Sequence, residues 1–225
     1  MERHIKTNGI GEIIFGAQDG IVTTLGVVLG VSAAGASNLL FIITAGLAAM
    51  LAEAISMGVG SYISTKSENE LLEKQIEIEK QEMHDIPEVE RKEIYNIYYK
   101  KGFRGKLLKD VVKKITSDKK LWLDEMLIWE LGILPGKKRN PVNRGVLFFL
   151  ASLLGIIPII PFLIFNVATA VPISILAGFA TLFIVGAAKT RLTSKSWMAS
   201  GGEMMVLGIL AAIAGYGIGL LLGAA

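Results

Sequence analysis

The chain has 225 residues, 52% of them apolar, no cysteine and a formal charge of +3. That composition is too oily for a chain that must expose a polar surface all round, and the lack of cysteine excludes disulfides, thiolate metal sites and cysteine nucleophiles. The net charge is small and points to no nucleic-acid partner, but its distribution is uneven: all 23 Lys and Arg fall before residue 7, between 66 and 144, or between 189 and 195.

The first apolar stretch, 10–34, is longer than the ~20 residues needed to cross a hydrocarbon core of ~30 Å. It carries Asp19 about midway, and its length and that acid argue against a secretory leader. A second span, 39–64, holds Glu53. Met50, Glu53 and Met57 sit at i, i+3 and i+7, close together on one helix face. A carboxylate between two thioethers suits a borderline transition metal better than Na⁺ or Mg²⁺, although for the methionines taken alone packing is the favoured role.

The charged stretch 66–140 has no long apolar run and repeats helical spacing. One helix, 67–84, continues directly from the second span and ends at Pro87. Others are expected at 88–101, stopped near Gly102, at 105–115, and at 118–131, capped by Ser117 and ended before Gly132 and Pro135. These make a small helical bundle without a Gly-rich phosphate loop, a nucleophile elbow or zinc-finger spacing. On its first helix Glu70, Glu73 and Glu77 form a stripe that Gln81 and His84 extend, with Glu68, Glu79 and Glu82 on the other side. Lys74 and Lys80 are available as solvated partners, which would make the stripe an ordinary wet face. On its last helix Met126 and Glu130 stand at i and i+4 with Glu125 beside them, again oxygen with sulfur.

Three more spans follow at 145–165, 171–188 and 197–222. Pro158, Pro161 and Pro172 are expected to kink or bound the third and fourth. Glu203 lies in the first half of the fifth, with Lys189 or Arg191 as possible partners. Gly16–Gly20, Gly26–Gly30 and Gly215–Gly219 have the spacing that lets membrane helices approach closely, within the chain or in a homodimer.

The expected architecture is all-α and polytopic, with spans one and two in 1–65, a helical module in 66–140 and spans three to five in 141–225. The alternation of Lys and Arg among the connectors puts the amino terminus and 66–140 in the cytoplasm and the carboxyl terminus outside or in a lumen. An ionised carboxylate at mid-bilayer depth costs ~2.5–3.5 kcal/mol or more on insertion scales. Asp19, Glu53 and Glu203 have no basic residue at matching depth, so protons or bound cations must neutralise them.

Asp19-Gly-Ile-Val-Thr-Thr-Leu-Gly26, Glu53-Ala-Ile-Ser-Met-Gly-Val-Gly-Ser-Tyr62, Leu121-Trp-Leu-Asp-Glu-Met126 leading to Glu130-Leu-Gly132, and Arg191-Leu-Thr together resemble the vacuolar iron transporter family over nearly the whole chain. The resemblance implies five spans, a homodimer, and a cytoplasmic metal-binding domain after the second span. It also implies export of Fe²⁺ in exchange for H⁺, with Mn²⁺, Co²⁺ and Zn²⁺ open as further substrates and no prosthetic group or enzymatic step. Carried over by residue, Asp19 would sit in the translocation path and Met57 at the methionine position of the second span. Glu70 and Glu73 resemble the first glutamate pair of the metal-binding helix, and Met126 and Glu130 the pair from its last helix. Ser61 stands where many relatives have Glu, Leu127 replaces a second methionine, and Gln81 and His84 occupy places where glutamates would be expected.

The candidate path is therefore Asp19, Glu53, Met57, Met50 and Glu203, and the candidate metal ligands are Glu70, Glu73, Glu77, His84, Met126 and Glu130. Two rival classes remain at this point. A membrane scaffold or signalling protein with a partner-binding bundle leaves the intramembrane acids unexplained. A membrane-embedded carboxylate metalloenzyme would commonly use Glu-x-x-His, which is absent; His4 and His84 are the chain's two histidines.

Overall fold

The computed structural model describes residues 9–133, 138–191 and 196–223; Arg3, His4, Lys6, Pro135 and Lys195 lie outside them. In chain order the helices are α1 (Ile10–Ala33), α2 (Leu39–Asp85), α3 (Pro87–Lys100), α4 (Gly105–Thr116), α5 (Lys119–Trp129), α6 (Pro141–Ser152), α7 (Ile160–Ile164), α8 (Val167–Lys189) and α9 (Trp197–Gly223), with a 3₁₀ turn at Leu153–Ile156. There is no strand among the described residues. The protein is an all-α polytopic membrane protein: α1, α2, α8 and α9 are each long and apolar enough to cross a bilayer, and the shorter α6 is apolar as well. The chain divides into two compact units, Met1–Ile63 with Pro141–Ala225, and Ser64–Asn140.

In the first unit α1 is the centre, packed on α6, α8 and α9. Its Leu25, Val28 and Leu29 join Ile42, Ile159, Phe162, Ala170 and Ala212 in one buried cluster. Small residues make this approach possible. A Cβ on Gly20 would overlap the Ser152 carbonyl oxygen, and one on Gly215 would overlap that of Gly26. The small-residue stripes of α1 and α9 are thus spent on packing within the chain.

The third span differs from the uninterrupted 145–165 expected from hydropathy. α6 gives way to the 3₁₀ turn, and helix resumes only at α7. Pro158 and Pro161 each lack an N–H and crowd the preceding turn, which breaks the ladder here. The Ser174 hydroxyl of α8 donates to the Pro158 carbonyl at 2.6 Å, so the break leaves that buried acceptor satisfied. Pro172, by contrast, does not bound α8. The helix starts at Val167, where Asn166 caps it by accepting from the Thr169 N–H at 3.1 Å.

The second unit holds the end of α2 with α3, α4 and α5. Ile94, Ile115, Trp122 and Met126 form its core. Pro87 opens α3 at a position where no N–H is needed. Asp118, not Ser117, caps α5, accepting from the backbone of Lys120 and Leu121 at 2.9 and 3.2 Å; the Ser117 hydroxyl instead donates to the Lys114 carbonyl. From the cap position the Asp118 carboxylate reaches the N2 and N3 amides directly.

Candidate metal centre

Three carboxylates converge in the second unit. Glu79 comes from α2, Glu90 from α3 and Glu130 from the residue that closes α5, and one oxygen of each lies within 4.8 Å of the others. Glu79 and Glu90 are 3% and 4% exposed, and Glu79 Oε1 and Glu90 Oε2 have no hydrogen-bond partner. Glu130 is exposed as a residue even though its carboxyl oxygen reaches this cluster. Among the described residues no Lys, Arg or His forms an ion pair with any of the three.

Charges this close repel by ~3 kcal/mol per pair at an effective dielectric of ~20, so three bare carboxylates ionise together without a cation only at a cost in stability. The proton affinities follow. Burial first, then the charges of Glu130 and Glu90, raise Glu79 to about 8. Burial and then Glu93 raise Glu130 to about 7. Burial, with Glu93 next, also pushes Glu90 up. Glu82 adds to all three. The three oxygens are close enough together to share one divalent cation, and protons compete for the same oxygens.

The end of α5 that delivers Glu130 is clamped to α3. The Tyr98 hydroxyl donates to Glu125 at 2.8 Å, and Lys101 Nζ sits 3.3 Å from the centroid of the Trp129 ring. Burial, followed by the contact with Glu125, raises the Tyr98 phenol to about 12, so it stays a donor.

Of the ligands expected from sequence, Glu130 belongs to this cluster. Met126 lies one turn before it on the same helix and is fully buried in the unit's core. Glu70, Glu73, Glu77 and His84 are not brought to it. Glu70 pairs with Lys66 at 3.8 Å, Glu73 with Lys138 at 2.5 Å and Glu77 with Lys80 at 3.5 Å, all on exposed side chains, and the exposed His84 contacts Asp85. Nine residues separate Glu70 from Glu79, which is half a revolution short of a whole number of turns, so the two point to opposite sides of α2. Glu79 and Glu90, the members of this cluster that sequence reasoning did not single out, carried a signal of their own: Glu79-x-x-Glu82 and Glu90-x-x-Glu93 repeat on either side of Pro87.

In the first unit Asp19 of α1 and Glu53 of α2 are half-buried and within hydrogen-bonding reach of one another. Met50 is buried and Met57 half-buried on the same helix as Glu53. Glu203 is exposed and has no ion-pair partner among the described residues. Glu12, which sequence reasoning did not single out, is buried and paired with Arg144 at 2.8 Å, joining the starts of α1 and α6.

The VIT family matches this chain over residues 10–220. The chain is 30% identical over 220 residues to vacuolar iron transporter 2 of Oryza sativa subsp. japonica, covering 96% of this chain and 89% of that protein. It is likewise 30% identical over 218 residues to vacuolar iron transporter 1 of Arabidopsis thaliana, covering 96% and 87%. Against the vacuolar iron transporter of Toxoplasma gondii the figures are 31% over 236 residues, 98% and 77%.

Proposed function

The chain belongs to the VIT family, and from that premise we propose that this membrane metal transporter, which is not an enzyme, moves Fe²⁺ out of the cytosol in exchange for protons. The observation that carries the reading is the pair of facing carboxyls, Asp19 and Glu53, on two membrane-crossing helices. Such a pair binds either a proton or a divalent cation, and a site that must choose between them couples their movements. Met50 and Met57 add soft ligands along α2, which favours a transition metal over Mg²⁺. Glu203 is the further acid of the path.

In this reading the unit 64–140 lies in the cytoplasm with the amino terminus, and the carboxyl terminus lies on the far side, as the placement of Lys and Arg supports. Glu79, Glu90 and Glu130 collect the ion there, with Met126 behind them. Proton entry from an acidic far side then releases metal from Asp19 and Glu53. The working form is a homodimer, and Mn²⁺, Co²⁺ and Zn²⁺ compete for the same ligands.

The test is flux into sealed proteoliposomes that hold a metal-sensitive and a pH-sensitive dye. An Fe²⁺ gradient should drive opposing proton movement, and Asp19→Asn should abolish both while the purified protein elutes unchanged. Normal transport by Asp19→Asn removes that residue from the path; metal flux without proton flux rules out antiport; no flux from the wild type ends the transport reading.

A further inference from the structure

The second unit is electrically divided. Residues 68–93 contain ten acidic and four basic side chains, whereas residues 100–120 contain nine basic and two acidic ones. A basic half repels divalent metal; apart from Lys101, which braces the end of α5 through Trp129, its charges have no part in the carboxylate cluster.

Part of that half lines a cleft of about 430 Å³ between α3 and α4, formed by Arg91 and Tyr95 on one side and Lys109, Val112, Lys113 and Thr116 on the other. Lys109 and Lys113 are one turn apart on the same helix face, and neither has an ion-pair partner among the described residues. Like charges at that spacing repel. Arg91 is held in place from two directions, by Glu88, which accepts from it at 2.8 Å, and by the Trp122 ring, 5.7 Å below its guanidinium. Most of its five donors remain available. The Thr116 hydroxyl donates to the Val112 carbonyl, so the donors left to face the cleft are chiefly the three cations. Of the acids beside the lining residues, Glu88 is engaged by Arg91, Glu90 is buried in the carboxylate cluster, Asp118 caps α5, and Asp110 follows Lys109 on α4.

We propose that this cleft binds a phosphate group, carried either by a lipid headgroup or by a free phosphate compound. Three positive groups around a hollow match a multiply charged oxyanion, and a planar guanidinium adds paired donors with the spacing of phosphate oxygens. A neutral ligand would leave the lysines unbalanced, and a carboxylate would satisfy fewer of the donors. The site is separate from the Glu79, Glu90 and Glu130 cluster and does not depend on the transport reading.

The test uses the detergent-solubilised full chain with two probes, inorganic pyrophosphate by calorimetry and a short-chain fluorescent phosphatidylinositol phosphate by polarisation. At least one should bind, and Lys109→Gln/Lys113→Gln should weaken it by roughly tenfold or more. Lys109→Arg/Lys113→Arg should restore binding, and Lys66→Gln, outside the cleft, should leave it unchanged. Pyrophosphate binding assigns the site to free phosphates; binding of the lipid probe alone assigns it to headgroups. The proposal is overturned if neither probe binds, or if the double glutamine variant binds the probe as tightly as the wild type does.

Discussion

Metal binding at the Glu79, Glu90 and Glu130 cluster should depend steeply on pH, because protons occupy the same oxygens. With Glu79 titrating at about 8 and Glu130 at about 7, roughly half of the first and nine-tenths of the second are ionised at pH 8. At pH 6 the fractions fall to roughly one in a hundred and one in ten. Taken as independent, the two predict a loss of apparent affinity of roughly 500-fold, or ~3.7 kcal/mol, between pH 8 and pH 6. At pH 7 an incoming ion should displace ~1.4 protons, ~0.9 from Glu79 and ~0.5 from Glu130. Titration calorimetry of Mn²⁺ into the detergent-solubilised chain, run in two buffers of different ionisation enthalpy, measures both quantities. A dissociation constant that stays flat from pH 6 to pH 8, with heats that do not depend on the buffer, would refute the assignment of these carboxylates as the ligands.

The same acids set the stability of the metal-free chain. Their folded pKa values lie above the ordinary 4.5, so their contribution is complete below about 4.5 and is lost as pH rises through 7 to 8; Trp122 and Trp129 fluorescence melts should show a lower midpoint at pH 8.5 than at pH 5.5, with Mn²⁺ raising the former more. Glu90→Gln should weaken Mn²⁺ binding by at least ~10-fold, and Glu73→Gln, on an exposed ion pair, by less than ~3-fold; equal losses in calorimetry would return the acidic stripe to the site. Gly20→Ala, which drives a methyl into the Ser152 carbonyl, should cost ~1–3 kcal/mol, while Gly11→Ala, with open space around it, should be neutral or slightly stabilising in thermal unfolding. Arg144→Met strands the buried Glu12 and should cost ~3–5 kcal/mol, most of it regained when Glu12→Gln is added; a double variant no better than the single would show that the pair matters through packing alone.

The membrane half of this fold is legible because hydropathy is a local property. A run of apolar residues spans wherever it occurs, and Asp19 and Glu53 stand out against it whatever they touch. The break after α6 is not local in the same way. Pro158 and Pro161 announce trouble, but whether the segment kinks or unwinds depends on Ser174, sixteen residues on, accepting the role of donor to the freed carbonyl. The carboxylate cluster failed to emerge for a related reason. Periodicity ranks the stripes on one helix by regularity, and Glu70, Glu73 and Glu77 make the more regular stripe. What makes a site is what faces it, and that was settled by the turn at Ile86–Pro87, which brings Glu90 to Glu79, and by α5, which ends on Glu130.

Acidity this close to neutral decides what the cluster can do. A glutamate left at 4.5 would be ionised at any cellular pH; it would bind a divalent ion with no proton to displace and would register no change in pH. One pushed far above 8 would hold its proton against all but the highest metal concentrations. Desolvation, nearly complete for Glu79 at 3% exposure and partial for the more exposed Glu130, together with mutual repulsion and without a neighbouring cation, puts both between those limits. A Lys or Arg introduced beside Glu79 would therefore impair binding twice, by occupying the site and by drawing the carboxyls back toward ordinary acidity, where competition with protons, and with it sensitivity to pH, disappears. The absence of a basic partner among the described residues is thus part of the site's chemistry, as much as the oxygens themselves.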